Sequence, residues 1–375
     1  MRIAVLGAGA MGGVAARLLA RHDDVDIVVV DADALRAEKV VAGVGRGEAR
    51  AFDVTAGNLA GALAGTDAIA SCLPYRLNLP VMEAALEAGC HYADLGGLFH
   101  VTLRQWDLDE RFREAGVAAV MGIGSAPGIT NLLAGIGAAR LDRTVSVDMV
   151  DGTIEEEEGG FGIPYSAETI LDEFTKPAMV FEAGELKEVP AGSGVIPWEF
   201  PEPLGTLQAM YTLHSEPATI PRNIPGVRDV RWRLALPAAV HDGFSFLTSI
   251  GLAGTEPVQT AGGPVVPRDV LVAVLSGLPA PEGEPRDIEY IDVRVAGEKD
   301  GHPAVFRGLA RFVPPPEGFS AGAFGTALPI ATAARWMSEG RVEPGVHAPE
   351  TAFDGEAFAA ELERDGVEFT FSVET

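Results

Sequence analysis

The feature that most constrains the fold of this chain is a glycine turn, residues 7–12 (GAGAMG), set between a strand pattern and a helix pattern. Gly7 permits the tight turn, Gly9 lets the main chain approach a ligand, and Gly12 allows the helix to pack closely on the strand. The first N–H groups of that helix stay unpaired and its positive end faces the turn, so the turn attracts phosphate. The pattern therefore predicts a dinucleotide-binding unit.

The first 125 residues alternate short apolar runs with alanine-rich helical stretches. We predict strands at residues 3–6, 25–31, 49–54, 68–73, 91–95 and 117–121, and helices at 11–21 and 79–88. Strands that alternate with helices imply right-handed crossovers and a parallel, doubly wound sheet. Residues 1–125 are therefore expected to form an α/β Rossmann domain.

The chain changes character at the Gly/Pro-rich stretch 122–128, which predicts a hinge. Beyond it we expect an α+β domain over residues 126–325 for substrate binding and dimerisation. Its predicted antiparallel strands are 145–150, 227–236, 288–296 and 304–312, and its predicted helices are 130–141, 167–174 and 267–276. The C-terminal segment 326–375 contains a small-residue helix at 327–339, and residues 326–350 are expected to pack back on the Rossmann domain.

Composition excludes several classes of partner. The formal net charge of −26 over 375 residues repels phosphate backbones, so no nucleic acid is expected to bind. No run of about 18 apolar residues predicts a membrane span, and the first residues lack the pattern of a signal peptide, so the expected location is the cytoplasm. The two cysteines lack metal-ligand spacing, the acidic run 155–158 is interpreted as a solvated loop or edge, and no metal site is expected.

Asp31 ends the second predicted strand, roughly 20 residues after the glycine turn. A carboxylate there accepts hydrogen bonds from the adenosine ribose and repels a 2′-phosphate, which favours NAD over NADP. Asp53 follows the third strand and lies either beside the adenine or in a surface turn. The predicted cofactor-binding residues are Gly7, Ala8, Gly9, Ala10, Met11, Gly12, Asp31, Asp53, Cys72, Leu73 and Pro74, the last three as main-chain contacts at the end of the fourth strand.

Six stretches together resemble a known family: 7–12, 72–78 (CLPYRLN), 88–97 (AGCHYADLGG), 126–131 (APGITN), 212–219 (TLHSEPAT) and 345–350 (GVHAPE). They are similar to saccharopine dehydrogenase-type reductases, most of all to the branch that includes L-lysine 6-dehydrogenase, and they follow the family's order along nearly the whole chain. The resemblance implies an NAD(P)-dependent oxidoreductase that makes or oxidises a C–N bond, generally as a homodimer. Because the family acts on several amino acids and polyamine adducts, the resemblance leaves the amine or amino-acid substrate open.

Such chemistry needs a neutral substrate amine, and therefore a base or a water relay nearby. Asp94 ends a strand at the carboxyl edge of the sheet, where open α/β sheets bind ligands. It either binds or deprotonates the amine, or caps the following turn. Tyr92 shares its side-chain parity and either orients that carboxylate or packs in the core.

His214 and Glu216 stand two apart in a stretch that is expected to be extended, so both face one side. A histidine beside a carboxylate relays protons near neutral pH, unless it is a buried structural histidine. Arg222 either pairs with a substrate carboxylate or lies at the surface, and Arg76 and Asn78 are predicted to line the pocket.

Three hypotheses follow. The first is NAD-dependent oxidation at the C–N bond of an amino acid or amine, of the saccharopine or lysine 6-dehydrogenase type. The second is the reverse, a reductive condensation of an amine with a carbonyl compound, as in carboxynorspermidine formation. The third is a non-catalytic protein that binds NAD(H) as a sensor or partner module. Among the lysines only Lys176 lies in a plausible position, so a catalytic lysine is not expected.

Overall fold

Two large β-sheets, a two-stranded ribbon and the helices around them make up the computed structural model, which describes residues 1–155, 166–278 and 283–375. Of the acidic run expected as a solvated loop or edge, residues 156–158 lie outside the described residues. None of the helices in the described parts of the chain is long and apolar enough to cross a membrane.

The first sheet is parallel throughout the described residues, with elements numbered in chain order. Its strands are β1 (Arg2–Leu6), β2 (Asp26–Asp31), β3 (Glu48–Ala51), β4 (Ala68–Ser71), β5 (His91–Asp94), β6 (Ala118–Val120) and β17 (Gly345–His347). They are ordered β17-β6-β5-β4-β1-β2-β3 and connected by α1 (Ala10–Leu19), α2 (Ala34–Val44), α3 (Leu59–Ala62), α4 (Asn78–Ala88), α5 (Leu98–Gln105) and α6 (Asp109–Ala115). The predicted doubly wound α/β fold is therefore confirmed.

The second sheet is mixed. It contains β7 (Arg143–Glu155), β8 (Ala178–Glu182), β9 (Glu185–Val189), β10 (Ile196–Glu199), β11 (Thr206–Met210), β12 (Asp229–Ala235), β15 (Asp287–Lys299), β16 (His302–Phe312) and β18 (Glu368–Glu374), while β13 (Val258–Thr260) and β14 (Gly263–Val265) form a separate ribbon. Its helices are α7 (Ile129–Arg140), α8 (Ala167–Thr175), α9 (Glu216–Asn223), α10 (Ala238–Ser249) and α11 (Pro267–Ser276). Nearer the C-terminus follow α12 (Ala321–Ser338), α13 (Pro349–Ala352) and α14 (Gly355–Arg364).

One strand direction was predicted wrongly. β7 pairs antiparallel with β15, and β15 with β16, as expected, but β12 runs parallel to β7. The connection between β7 and β12 passes through helices and further strands, and a connection of that length allows the chain to return in the original direction. Helical and strand periodicity does not show whether two paired strands run parallel or antiparallel.

Helix α12 returns to the parallel sheet and packs against α1, β4 and β5. It begins earlier than predicted, at Ala321, because its first N–H groups are capped. The Asp287 carboxylate accepts hydrogen bonds from the N–H groups of Ala321 and Gly322, and the Ser320 hydroxyl accepts one from Ala323. The division of the chain at residues 125 and 325 stays a prediction.

Two glycines of the turn are fixed by protein packing. Gly7 has φ +92°, in the left-handed region, and an ideal Cβ on Gly12 would lie 1.7 Å from the Gly7 carbonyl oxygen. A Cβ on Gly9 would meet no protein atom within 4 Å. The packing of the protein therefore explains Gly7 and Gly12, whereas the described residues leave room for a side chain at Gly9.

Replacing Gly12 by alanine is expected to lower the free energy of unfolding by about 1–3 kcal/mol, because the added methyl group forces α1 away from the turn. Gly9→Ala is the matched control and should cost less than about 1 kcal/mol, as expected for a helix N-cap with free space around it. Urea denaturation of both variants measures the difference. Equal losses of stability would contradict the packing role of Gly12.

Candidate active site

The nucleotide half of the site lies where β1, β2 and β4 end. The Asp31 carboxylate accepts a hydrogen bond from the Ala8 N–H at 2.7 Å. A Cβ on Gly7 would approach the Cys72 carbonyl oxygen to 3.1 Å and the Leu73 side chain to 3.2 Å. The structure thus brings the glycine turn, Asp31 and the end of β4 together at one edge of the sheet.

The other predicted cofactor residues differ in their surroundings. Ala10 and Pro74 are exposed, whereas Met11 is half-buried. Asp53 is exposed, and its carboxylate accepts hydrogen bonds from the main-chain N–H and the hydroxyl of Thr55, which hold the pKa of Asp53 below its usual value. Of the two alternatives for Asp53 the structure shows the surface turn, and contact with an adenine stays a prediction.

Asp94 is a buried carboxylate that accepts four hydrogen bonds. Oδ2 accepts from the Tyr92 hydroxyl at 2.8 Å and from Gln105 Nε2 at 2.5 Å. Oδ1 accepts from the N–H groups of Gly96 and Gly122, both at 2.8 Å. Burial raises the pKa of Asp94 above its usual value although these hydrogen bonds oppose the rise. With all four acceptor positions taken, this geometry favours the capping alternative and leaves none for a substrate amine.

Three further predicted residues have partners within the protein. Asn78 is buried and donates from Nδ2 to a main-chain carbonyl after β5 at 3.0 Å. Arg76 is exposed and pairs with Glu168 at 2.7 Å, while the Arg222 guanidinium lies 4.5 Å over the Trp106 ring. Each of these three side chains therefore contacts a different group of the protein, and their substrate contacts stay predictions.

His214 and Glu216 form a buried pair. His214 Nδ1 lies 2.7 Å from Glu216 Oε2, Glu216 Oε1 accepts a hydrogen bond from Thr130 at 2.9 Å, and the imidazole stacks on Trp232 with ring centroids 4.1 Å apart. The extended conformation predicted for this stretch is wrong at Glu216, which begins α9. The two side chains still meet because the chain turns into the helix between them.

The charge of this pair is set by two opposing effects. Burial lowers the pKa of His214, but the negative charges of Glu216 and Glu173 together raise it by more than burial lowers it. The pKa of His214 therefore lies above its ordinary value of 6.5. Among the described residues, none forms a hydrogen bond with Nε2 of His214. The ring can therefore hold a proton near neutral pH and present Nε2 as a donor.

Sequence reasoning missed a buried acidic cluster beside this pair. Asp151 on β7 and Glu289 on β15 share one face of the mixed sheet, and Ser125, in the hinge after β6, donates its hydroxyl to Glu289 Oε1. Burial and the charges of Glu173 and Glu216 raise the pKa of Asp151 to about 8. The sequence does contain a signal for these two residues, because Asp151 and Glu289 each interrupt an apolar strand pattern.

A second group that was missed joins the turn after β4 to α8. The Tyr75 hydroxyl donates to Asp172 Oδ2 at 2.7 Å, and Lys176 Nζ donates to the same oxygen at 2.9 Å. Arg268 pairs with the other oxygen of Asp172 at 2.6 Å. The end of β4 is therefore tied directly to the helix that carries Glu173, next to the acidic cluster.

Asp94→Ala is expected to lower the free energy of unfolding by about 3 kcal/mol or more, because four donors lose their acceptor. Asp94→Asn should cost less, since its amide oxygen still accepts two hydrogen bonds and Gln105 can present Oε1, which has no partner now. Urea denaturation compares the two variants. If both kept wild-type stability and lost activity, a catalytic role for Asp94 would replace the structural one.

The His214 pair also gives a pH prediction. A group whose pKa is raised by folding contributes stability in full below its unfolded value, and that contribution is lost as the pH rises through the folded value. The free energy of unfolding of the wild type should therefore fall relative to His214→Gln between about pH 6 and about pH 9. Urea denaturation at both pH values measures this, and a constant difference would contradict the raised pKa.

Comparison with known proteins agrees with this architecture. Residues 3–120 match the saccharopine dehydrogenase NADP binding domain, and residues 124–367 match the saccharopine dehydrogenase C-terminal domain. Carboxynorspermidine synthase of Vibrio cholerae is 25% identical, with 92% of this chain and 91% of the relative aligned. Carboxyaminopropylagmatine dehydrogenase of Synechocystis is 24% identical over 73% of this chain and 72% of the relative.

Solved structures share the fold over the full length. Saccharopine dehydrogenase (L-Glu forming) of Saccharomyces cerevisiae superposes with a TM-score of 0.79 at 18% identity, with 100% of both chains covered. Homospermidine synthase of Legionella pneumophila gives a TM-score of 0.67 at 12% identity, covering 99% of this chain and 91% of the other. With both family domains matched in order, this chain belongs to the saccharopine dehydrogenase family of NAD(P)-dependent oxidoreductases.

Proposed function

We propose that this protein joins a primary amine to a carbonyl compound and reduces the resulting imine to a secondary amine with NADH. The observation that carries the proposal is the buried His214–Glu216 pair, a proton donor held beside the hinge that leaves the Rossmann sheet. The names of the relatives support this direction, since one is a carboxynorspermidine synthase. Oxidation at the C–N bond of an amino acid or amine, which the resemblance suggested first, is the alternative direction, and the family description and the name of carboxyaminopropylagmatine dehydrogenase are of that type.

The cofactor preference rests on Asp31. A carboxylate at the end of β2 suits the ribose hydroxyls of NAD(H) and repels the extra phosphate of NADP(H). The exposed Arg36 is directed at Asp33, with 3.5 Å between the charged atoms, and is therefore partly neutralised. When bound, the nicotinamide supplies the hydride, and the glycine turn and the end of β4 are the groups that would hold the dinucleotide.

The protein itself supplies a proton donor and holds that donor in a fixed orientation. Condensation requires a proton for the hydroxyl that leaves when the imine forms, and His214 can donate one from Nε2. Glu216 stabilises the charged ring and Trp232 fixes its plane, so the donor needs little reorganisation. The predicted homodimer and cytoplasmic location are compatible with this proposal and play no part in it.

The test follows NADH absorbance at 340 nm with an aldehyde and a primary amine, together and separately. We expect oxidation of NADH only when both are present, and a weaker signal with NADPH. Reduction of NAD by an amine or by lysine alone, with no reaction of any amine–aldehyde pair, would contradict the proposed direction.

The role of His214 is tested in the same assay. His214→Gln should lower kcat by about 100-fold or more and leave the Kd for NADH unchanged, since a general acid acts on the chemical step. The matched control is His302→Gln, a substitution at an exposed histidine on β16. An unchanged kcat in His214→Gln would remove the basis of the proposed mechanism.

A further inference from the structure

Helix α9, which begins at the Glu216 that holds His214, is weakly fixed by its own backbone. It has only 8 residues, and both Pro217 and Pro221 lie within it. Pro221 has no N–H to donate to the preceding turn, and a helix of about two turns is marginal on its own. Contacts with the rest of the protein must therefore set the direction of α9 and, with it, the position of the Glu216 carboxylate.

Side chains of α7 and α13 hold α9 at both of its ends. At the first residue, Glu216 Oε1 accepts a hydrogen bond from the hydroxyl of Thr130 at 2.9 Å. At the last residue, Asn223 Nδ2 donates to Glu350 Oε1 at 2.9 Å. The second oxygen of Glu350, Oε2, accepts from Asn131 Nδ2, also at 2.9 Å. One carboxylate therefore joins the end of α9 to α7, the helix that also holds the start of α9.

The bridge is made by hydrogen bonds and does not need the charge of Glu350. Asn131 donates to it in a fixed orientation, because Asn131 Oδ1 already accepts from the N–H of Gly128. Within the described chain the Asn223 side chain bonds to Glu350 alone, so its amide can turn to present either the NH2 group or the oxygen. Glu350→Gln can therefore keep both bonds, accepting from Asn131 and donating to Asn223, whereas Glu350→Met can keep neither.

Glu350 itself is fixed to the parallel sheet. It follows β17, which pairs with β6 just before the hinge leaves that sheet. The carboxylate of Asp109, at the start of α6, accepts a hydrogen bond from the Val346 N–H at 2.8 Å. An ideal Cβ on Gly135 of α7 would lie only 2.7 Å from the Glu350 carbonyl oxygen, so α7 packs closely on this residue. The position of α9 is therefore tied, through Glu350, to the sheet that carries the glycine turn.

We propose that Glu350 is a positioning residue, which through Asn131 and Asn223 fixes α9 and so keeps His214 at a set place relative to the edge of the parallel sheet. The reaction that His214 serves there rests on the proposed function. A proton donor contributes only when it meets the reacting atom at hydrogen-bond distance. A small displacement of α9 therefore lowers the rate although every reacting group is still present.

The pKa of His214 reports where α9 stands. Burial lowers this pKa, whereas the charges of Glu216 on α9 and of Glu173 on α8 raise it. Asp151 on β7 lies near the same two acids, and Trp232 on β12, which stacks on the imidazole, carries no charge. When α9 moves, the contact with Glu216 lengthens and burial outweighs it, so the pKa of His214 falls.

The experiment compares Glu350→Met with Glu350→Gln by NMR titration of the His214 ring protons, which are assigned by their loss in His214→Gln. We expect the pKa of His214 to fall by about 0.5 or more in Glu350→Met and to stay within about 0.2 of the wild type in Glu350→Gln. The matched control, Glu356→Gln on α14, breaks a contact with Arg140 at the other end of α7 and should leave this pKa unchanged.

Two outcomes of the titration would overturn the proposal. Equal falls in Glu350→Met and Glu350→Gln would assign the effect to the charge of Glu350 and not to the bridge. No fall in either variant would show that the bridge does not position His214. If Glu350→Met does not fold, Asn223→Leu, which removes only the bond at the end of α9, takes its place with the same expected fall.

Turnover separates positioning from a purely structural role. In the amine–aldehyde assay, Glu350→Met should lower kcat about tenfold and change the Kd for NADH less than about twofold, while Glu350→Gln should keep kcat within about twofold of the wild type. A Glu350→Met protein that loses thermal stability but keeps the kcat and the His214 pKa of the wild type would leave Glu350 a structural role alone. If no amine–aldehyde pair oxidises NADH, the proposed reaction is wrong, and the NMR titration still decides whether Glu350 positions His214.

Discussion

The Asp94 carboxylate is the interaction on which the rest of the site depends. It receives donors from its own strand, from α5 and from the loops that follow β5 and β6. A buried charge is tolerated only when hydrogen bonds satisfy it. The shared acceptor therefore fixes the positions of the four donors relative to one another. One of them, the N–H of Gly122, fixes where the hinge leaves the Rossmann sheet.

Side chains in the hinge and in the first turn of α7 bind acidic residues in the second half of the protein. Ser125 bonds to Glu289 on β15, and Thr130, in the first turn of α7, bonds to Glu216. Asn131 extends the series by donating to Glu350 at 2.9 Å. Each of these three polar residues therefore forms a hydrogen bond with one acidic side chain, namely Glu289, Glu216 or Glu350. Displacement of the hinge would move the acids and the edge of the nucleotide site together.

The sequence predicted those features that depend on local pattern. The Rossmann strands and the glycine turn follow from periodicity and backbone geometry, and Gly12 has the close contact that its place in the motif requires. The direction of β12 depends on a long connection, and β17 has only three residues, so neither leaves a local signal. The contact of His214 with Glu216 was expected for an extended chain, and it forms at a helix start instead.

Local pattern could single out Asp151 and Glu289 as acids within apolar strands, but it could not show that they meet, because they come from distant segments and share a face only after the mixed sheet forms. Burial, followed by the charges of Glu173 and Glu216, raises the pKa of Asp151 to about 8. Burial, followed by the charge of Asp151, raises the pKa of Glu289 well above its usual value. The Asp151 carboxyl therefore retains a proton near neutral pH.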